Sequence, residues 1–278
     1  MRNQNVDTIT DATLSTFSNV ADARLKILME SLVKHLHAFA KDVQLTEAEW
    51  TQAIKILTDS GHKCTETRQE FILWSDVLGL STLVNSINNQ KPKGCTESTV
   101  FGPFFVERAP HYENGDDISR DAPGARCAVN CRITDLNGVP ISGAKVNVWQ
   151  ADEDGFYDVQ YENLDYPRAR GELKSDDQGR IYFKSIVANA YPIPTDGPVG
   201  DMLIACNRHP WRPAHLHFMI EAPGYETLIT QVFRDGEEYL DSDAVFGVRE
   251  SLVTVWEEQS DGSFTLHYDF VLNSSQDK

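Results

Sequence analysis

Two histidines separated by a single residue are the side chains of this sequence best suited to chemistry. His215 and His217 alternate with the apolar residues Leu216, Phe218 and Ile220. This alternation has the period of a β-strand, so both imidazoles point to one face and the apolar side chains to the other. Imidazoles that share a strand face at this spacing can bind one metal ion. The pattern therefore indicates a metalloenzyme.

Further ligands must come from elsewhere in the chain, because two histidines leave a metal incompletely coordinated. Tyr191 lies 24 residues before His215, and Tyr157 follows a predicted strand at 145–150. A phenol has an ordinary pKa near 10, so it becomes a ligand only when a strongly charged cation such as ferric iron keeps it ionised. On position alone, a tyrosine near a turn is more often an amphipathic residue at the rim of a site. Arg212 adds a fixed positive charge three residues before His215.

The elements that must position these residues change character near residue 92. Before it, apolar residues recur at spacings of three and four, which predicts amphipathic helices. Thr46 and Glu49 form a capping-box signature that opens the second helix. A third helical pattern runs from about 66 to 88 and is apolar on more than one side, so we expect it to be largely buried. The stripe of the first helix consists of Leu25, Leu28, Leu32, Leu36, Phe39 and Val43.

Beyond about residue 121, short apolar segments alternate with turns. Asn137-Gly138 and Asp261-Gly262 are typical turn pairs between strands. Strands at such intervals predict an antiparallel β-sandwich. We therefore predict an α+β protein in two parts, with an α-helical dimerisation domain at 1–95 and an antiparallel β-sandwich catalytic domain at 96–278.

Composition excludes several classes of function. The net charge of −17 argues against nucleic acid, because phosphate binding needs a basic surface, but it permits a small neutral phenol. No run of about 18 apolar residues is present, so we expect no membrane insertion. The first twenty residues lack the apolar core of a secretory signal, and the five cysteines are scattered without a CxxC pair. These features predict a cytoplasmic protein with reduced thiols.

Tyr157, Tyr191 and the 212–217 block together resemble the intradiol ring-cleaving dioxygenases, including the spacing from the second tyrosine to the first histidine. The resemblance covers nearly the whole chain. It implies one non-haem Fe(III) per subunit, with Tyr157 and His215 as equatorial ligands and Tyr191 and His217 as axial ones. Two phenolates and a hydroxide balance the charge of Fe(III), so such a site can be buried without an unpaired charge.

The same resemblance implies roles for three residues around the metal. Tyr191 would be displaced by the incoming diol and accept one of its protons. Arg212 would stabilise negative charge that builds up on the ring. Gln231 would orient the surroundings of the iron, although an ordinary polar residue of a strand remains an alternative for that position.

Substrate choice depends on the pocket wall, in which Asp76 is an acid on an otherwise apolar helix face. A carboxylate there would accept a hydrogen bond from a third hydroxyl; the alternative is a solvated acid at the edge of a helix. Together with the segments 100–105 and 150–157, this acid makes the sequence most similar to the members that cleave hydroxyquinol (benzene-1,2,4-triol) to 3-hydroxy-cis,cis-muconate/maleylacetate in aromatic degradation. Catechol and chlorocatechol 1,2-dioxygenases are the alternatives. The expected substrate-binding residues are Leu73, Asp76, Val100, Phe101, Gly102, Pro103, Phe104, Ile193, Pro194, Arg212 and Val245.

The helical part of the sequence predicts the binding partners of the protein. The apolar stripe has few sandwich residues left to cover it, so we expect a homodimer. The family resemblance also implies a phospholipid between the helical domains of the two subunits. The non-enzymatic alternative is a β-sandwich that acts as a plain binding module, and such a protein would be colourless and free of iron.

Overall fold

Six α-helices, two short 3-10 helices and eleven strands occur in the part of the chain that the computed structural model describes, residues 3–66 and 68–275. None of these helices has the length and apolar character needed to cross a membrane. The helices are α1 (Ile9–Ser15), α2 (Ala23–Asp42), α3 (Glu47–Lys63), α4 (Glu70–Val77), α5 (Leu80–Asn88) and α6 (Pro198–Ala205). The strands are β1 (Arg126–Asp135), β2 (Lys145–Trp149), β3 (Arg170–Lys174), β4 (Arg180–Ile186), β5 (Tyr191–Pro192), β6 (Trp211–Arg212), β7 (His215–Glu221), β8 (Leu228–Arg234), β9 (Val253–Thr254), β10 (Trp256–Glu258) and β11 (Phe264–Leu272).

The chain divides into two compact units, Met1–Thr58 and Asp59–Lys278. The first unit contains α1, α2 and most of α3. The side chain of Asp22 caps α2 by accepting hydrogen bonds from the backbone of Arg24 and Leu25. The predicted capping box at Thr46 is present, with Glu49 bonded back to the Thr46 backbone at 2.9 Å. The boundary predicted near residue 95 stays a prediction.

An apolar stripe on α2 and α3 is open to solvent in the single chain. The side chains that make it are each roughly half exposed, although such residues are ordinarily buried. On each helix these residues recur at spacings of three and four and share one face, and an exposed apolar face of this kind is typical of a place where another molecule binds. The stripe is composed of Leu25, Leu28, Leu32, Leu36, Phe39 and Val43 on α2 and Trp50, Ile54 and Leu57 on α3.

The predicted third helix is two helices. Gly79 separates α4 from α5 with φ +74°, a left-handed conformation that glycine adopts without steric cost. The prediction of a single helix was wrong because the apolar pattern continues across this break. Burial also differs between the two halves, since α4 buries Leu73, Asp76 and Val77 whereas α5 buries none of its residues.

Two sheets form the sandwich of the second unit. One has the strand order β10-β11-β1-β4 and the other β3-β2-β7-β8-β9, while β5 and β6 pair as a separate two-stranded ribbon. A single buried cluster takes side chains from both sheets, for example Val129 and Phe183 from one and Val146 and Leu216 from the other. The two inner faces therefore enclose the core, as the sequence predicted.

The sheets are mixed, which corrects the prediction of a strictly antiparallel sandwich. β1 and β11 pair in parallel along their length, from Cys127 with Phe264 to Asp135 with Leu272, and β8 and β9 are also parallel. Turn signals report only on strands that are neighbours in sequence. The Asp261-Gly262 turn does join an antiparallel pair, β10 and β11, but no local signal marks a pair as distant as β1 and β11.

Candidate metal centre and active site

Strand β7 holds the two histidines in the orientation that its alternating sequence predicts. Both imidazoles are buried, and the intervening Leu216 and the following Phe218 point into the core between the sheets. The register places His217 between Trp149 of β2 and Gln231 of β8. The neighbours of this histidine are therefore fixed by backbone pairing on both sides.

Two tyrosines from other segments reach the same point. The Tyr157 hydroxyl lies 3.2 Å from that of Tyr191, 3.1 Å from Nε2 of His217 and 3.4 Å from Nε2 of His215. The two Nε2 atoms are 3.2 Å apart. Atoms that each lie about 2 Å from one metal ion are spaced by roughly this distance. The structure thus brings all four sequence-predicted ligands together.

His215 presents its Nε2 atom to this centre because its other nitrogen is occupied. Nδ1 lies 2.7 Å from the Pro213 carbonyl, so it carries the proton and leaves a lone pair on Nε2. Burial, together with the charge of Arg212, lowers the pKa of His215 to about 3, although the Pro213 contact and Asp243 oppose the change. The imidazole is therefore neutral at physiological pH, as a metal ligand must be.

Outside the contacts of its Nε2 atom, His217 is held by packing. Its ring stacks on Trp149 with centroids 4.7 Å apart and an interplanar angle of 11°. Gly102 lies against the other side, where an added Cβ would come within 3.3 Å of the imidazole. Nδ1 of His217 is buried without a hydrogen-bond partner in the described part of the chain. Burial, followed by the charges of His215 and Arg212, lowers the pKa of His217 well below its usual value.

The tyrosine ligands fit a strongly charged cation. Burial and the neighbouring Tyr191 raise the pKa of Tyr157 well above its ordinary value, against the opposing charges of Arg212 and Arg170. Ionisation of this phenol therefore needs a strong local positive charge, and a hard trivalent ion supplies one. Among residues 3–66 and 68–275, no group of three or more His, Cys, Asp or Glu residues is arranged to hold a metal. The centre described here has two phenols in their place.

Arg212 is buried beside the histidines. Its Nη1 lies 3.2 Å from Nε2 of His215, and its Nη2 donates to Oε1 of Gln231 at 2.9 Å. The Gln231 amide in turn donates to the carbonyl of Val100 at 2.7 Å. Gln231 thus links the arginine to the loop that forms part of the pocket wall.

Asp243 is a site residue that the sequence reasoning missed. Its carboxylate accepts hydrogen bonds from Arg212 Nε at 3.0 Å and Nη2 at 3.2 Å. Burial alone would raise the pKa of Asp243, but the charge and hydrogen bonds of Arg212 outweigh it, so the pKa is lowered. A buried arginine requires an acidic partner, which is the signal that could have been used. With 42 acidic residues in the chain, that signal does not select one of them.

A narrow pocket opens beside Tyr191 and Arg212. Phe101 is the sequence-predicted wall residue that lies outside this lining: its half-exposed ring packs on Phe105 and Trp149. Val100 and Gly102 line the pocket, whereas the ring of Phe101 lies against Trp149. The pocket is lined by Leu73, Asp76, Val100, Gly102, Pro103, Phe104, Tyr191, Ile193, Pro194, Arg212 and Val245.

Asp76 is the acidic residue of this lining and is only 6 % exposed. Burial raises the pKa of Asp76, and Asp243 acts in the same direction, whereas a hydrogen bond with Ser81 and the charge of Arg212 lower it. The carboxyl therefore stands at a place where a hydroxyl donor would stabilise its charged form.

Comparison with protein families gives two matches that together cover most of the chain. Residues 22–96 match the family model described as the N terminus of catechol dioxygenases, and residues 100–274 match the model described as dioxygenase. The four converging side chains and the pocket wall from Val100 onward lie within the second match.

Individual relatives are similar over nearly their whole length. The chain is 59 % identical to a 6-chlorohydroxyquinol 1,2-dioxygenase of Cupriavidus pinatubonensis, covering 95 % of this chain and 96 % of that protein. It is 51 % identical to a hydroxyquinol 1,2-dioxygenase of Nocardioides simplex, with coverages of 92 % and 87 %. The crystal structure of a hydroxyquinol 1,2-dioxygenase from Pseudomonas putida superposes with a TM-score of 0.91 at 43 % identity, covering 97 % of this chain and 99 % of that one.

Proposed function

The chain belongs to the family of intradiol ring-cleavage dioxygenases, and we propose that its substrate is hydroxyquinol. The reaction adds both atoms of O2 across the bond between the two adjacent hydroxyl-bearing carbons. Ring opening gives 3-hydroxy-cis,cis-muconate, whose keto tautomer is maleylacetate. The named relatives at high identity support a triol as substrate.

The observation that carries the substrate is the position of Asp76. It is a buried carboxyl in a lining that is otherwise mostly apolar, beside Tyr191 and Arg212. A third hydroxyl on the ring would donate a hydrogen bond to this carboxylate. Catechol lacks that hydroxyl, so the carboxylate would keep its hydrogen bond with Ser81 but would lose the donor from the ring, which costs about 1–3 kcal/mol.

Ferric iron is the cofactor that the donor set fits, with Tyr157, Tyr191, His215 and His217 as its ligands. When bound, it would act as a Lewis acid that takes up both diol oxygens and makes the ring reactive toward O2. One ion per chain follows from the single four-residue cluster in the described part of the protein. Metal analysis of the purified protein, and the red-brown colour of a ferric tyrosinate, test this assignment.

The remaining side chains would accept a proton, stabilise negative charge on the ring and exclude water from it. Tyr191 would accept one proton of the diol at its phenolate oxygen. The guanidinium of Arg212 faces the pocket and would stabilise negative charge on the ring. Gln231 would hold Arg212 in place through the bond that it accepts from Nη2. The apolar wall formed by Leu73, Val100 and Ile193 would exclude water from the ring.

A kinetic comparison of hydroxyquinol, catechol and 4-chlorocatechol tests the substrate. We expect the highest kcat/KM for hydroxyquinol, with catechol weaker by roughly ten- to a hundredfold. Asp76→Ala should narrow this gap by slowing hydroxyquinol while catechol changes little. Asp76→Asn keeps the size of the side chain and one acceptor oxygen, so its kcat/KM ratio of hydroxyquinol to catechol should lie between those of the wild type and Asp76→Ala. Equal losses on all three diols would assign Asp76 to support of the helix and return the substrate to catechols in general.

The helical part would form a homodimer with a phospholipid between the subunits. The exposed apolar stripe on α2 and α3 supports this arrangement, because an exposed apolar face of this extent favours association. Light scattering at micromolar concentration should give the mass of two chains, and organic extraction followed by mass spectrometry should release lipid. A monomer would refute the dimer, and a lipid-free dimer would refute the phospholipid alone.

A further inference from the structure

The donors of Arg212 are divided between two sets of acceptors. A guanidinium carries five N–H groups. Nε and one N–H of Nη2 bond to the carboxylate of Asp243, and Nη2 also donates to Gln231. Only the N–H groups of Nη1 remain, and this nitrogen lies 3.2 Å from Nε2 of His215. The arginine therefore has one nitrogen facing the reaction centre and its opposite edge bound to protein.

The acceptor on that opposite edge is itself rigidly held. Asp243 is 5 % exposed, and its carboxylate also accepts hydrogen bonds from the backbone of Val245 at 3.3 Å and Gly247 at 2.8 Å. Gly247 packs so closely that an added Cβ would come within 2.8 Å of Arg212 Nη2. The turn at 243–247 thus supports the guanidinium from two directions.

We propose that Asp243 is a positioning residue, which fixes the plane of the Arg212 guanidinium so that Nη1 faces the bound ring. The proposal rests on the proposed function, since it concerns the arginine that stabilises charge on the substrate. The same turn carries Val245, a wall residue of the pocket. One aspartate therefore sets both the direction of the arginine and the position of the wall beside it.

A change at Asp243 should affect turnover more than binding. Asp243→Asn removes one acceptor and the negative charge, so the guanidinium can rotate while it stays cationic and close to the diol. We expect kcat to fall about 10- to 100-fold, the loss that a misplacement near 1 Å causes. The dissociation constant of the diol, measured anaerobically from the visible absorption of the ferric enzyme, should change less than about threefold, with iron content unchanged.

A double-mutant cycle separates positioning from general support of the fold. In an Arg212→Gln background, the Asp243→Asn change should alter kcat by less than about twofold, because the group that it positions is gone. It should also raise the Tm of the metal-free protein, since it removes a buried carboxylate that has lost its partner. Losses in kcat that simply add across the cycle would overturn the proposal.

Two further variants complete the test. Glu70→Gln is the matched control, because Glu70 is also fully buried and paired with an arginine, Arg68, and a backbone N–H. It should lower Tm while kcat stays within about threefold; a kcat loss equal to that of Asp243→Asn would overturn the proposal.

Gly247→Ala keeps the charge of Asp243 but crowds the Asp243–Arg212 pair, since its Cβ would lie 2.8 Å from Nη2 of Arg212 and 3.1 Å from Oδ2 of Asp243 and from Val100. It therefore tests the positioning of the pair even if Asp243→Asn fails to fold. It should lower kcat with iron retained, and unchanged kcat would contradict the proposal. The diol that turns over fastest is used throughout, so a different substrate does not affect the outcome. An iron-free protein that cleaves no diol would instead refute the proposed function.

Discussion

The two tyrosines of the metal centre are held in very different ways. Next to Tyr157, the carboxylate of Asp158 forms a buried ion pair with Arg170, whose Nε lies 3.0 and 3.1 Å from its two oxygens. The backbone N–H of Tyr157 donates to Gln160 at 2.8 Å, and its ring stacks on Phe104 with centroids 4.5 Å apart. This tyrosine is therefore fixed by charge, backbone and packing together.

Tyr191 has lighter support. It begins a strand of only two residues, where it pairs with Arg212, and its Cβ packs against Gly155. The segment that follows is anchored at the protein surface, through Asp196 with Lys63 and Arg68. The comparison teaches that a ligand which stays in place can be held by a buried ion pair. Tyr191, the ligand that we propose is displaced, is tethered by a short strand and a partly exposed salt bridge.

The largest expected effect comes from Tyr191, the tyrosine that we propose accepts a proton from the diol. Tyr191→Phe keeps the ring packing but removes the hydroxyl, so kcat should fall on the order of 1000-fold, the size of a lost proton acceptor. Iron content, measured by mass spectrometry, should stay above half. Tyr182→Phe, at a partly exposed tyrosine of β4, is the control. Near-normal turnover of Tyr191→Phe would remove the distinction between the two tyrosines.

Breaking the buried anchor of Tyr157 should destabilise the protein strongly. Asp158→Asn leaves Arg170 buried without its counter-charge, which costs about 3 kcal/mol. Urea unfolding of the metal-free protein measures this loss. Glu30→Gln, at the solvent-exposed Lys26–Glu30 pair, should cost less than about 1 kcal/mol. Equal losses in the two variants would show that the buried pair adds nothing to the hold on Tyr157.

A glycine contact tests the packing of Tyr191. Gly155 has φ +82°, and an added Cβ would lie 3.0 Å from Cβ of Tyr191. Gly155→Ala should lower the free energy of unfolding by about 2 kcal/mol, because of backbone strain and crowding, and kcat should fall. Gly138→Ala introduces the same strain at φ +77°, but its added Cβ would have no atom within 4 Å. It should therefore lower the free energy of unfolding by about 1 kcal/mol and leave kcat unchanged. Indistinguishable variants would argue against a role for this contact.

The smallest effect belongs to the surface anchor and depends on pH. Hydrogen bonds from Lys63 and then Arg68 lower the pKa of Asp196 to about 2. A carboxyl group whose pKa is lowered in the folded state stabilises the fold at pH values above its unfolded-state pKa, which is near 3.9. This stabilisation is lost as the pH falls toward 2. Asp196→Asn should therefore cost about 0.5 kcal/mol at pH 7 and progressively less below pH 4. Urea unfolding at several pH values checks this; a pH-independent difference would contradict the assignment.

The histidines could be predicted from the sequence because their positions follow a local rule. A strand alternates its faces, so the residues between 215 and 220 predict both the metal-facing side and the core-facing side. Tyr157 and Tyr191 obey no such rule, since each reaches the centre from a separate loop. Their identification as ligands came from the family resemblance, and the structure adds the distances at which they meet the histidines.

The structural features that could not be predicted from the sequence depend on contacts between distant segments of the chain. The parallel pairing of β1 with β11 has no turn to announce it, and the pairing of Arg212 with Asp243 joins residues from different loops. The break at Gly79 was concealed by apolar residues on both sides of it. The outward direction of Phe101 follows from how its loop is laid against Trp149. Each of these features is decided by tertiary packing rather than by local preference.

The place of β11 has a consequence for synthesis of the protein. It lies between β1 and β10, in the interior of its sheet, yet among the strands of residues 3–66 and 68–275 it is the last to leave the ribosome. Until then β1 has a partner on one side only, β4, and its other edge is free to pair with another chain. The sandwich can therefore close only after nearly all of the residues in the described chain have been translated. Protection of this edge by chaperones would matter most in that interval.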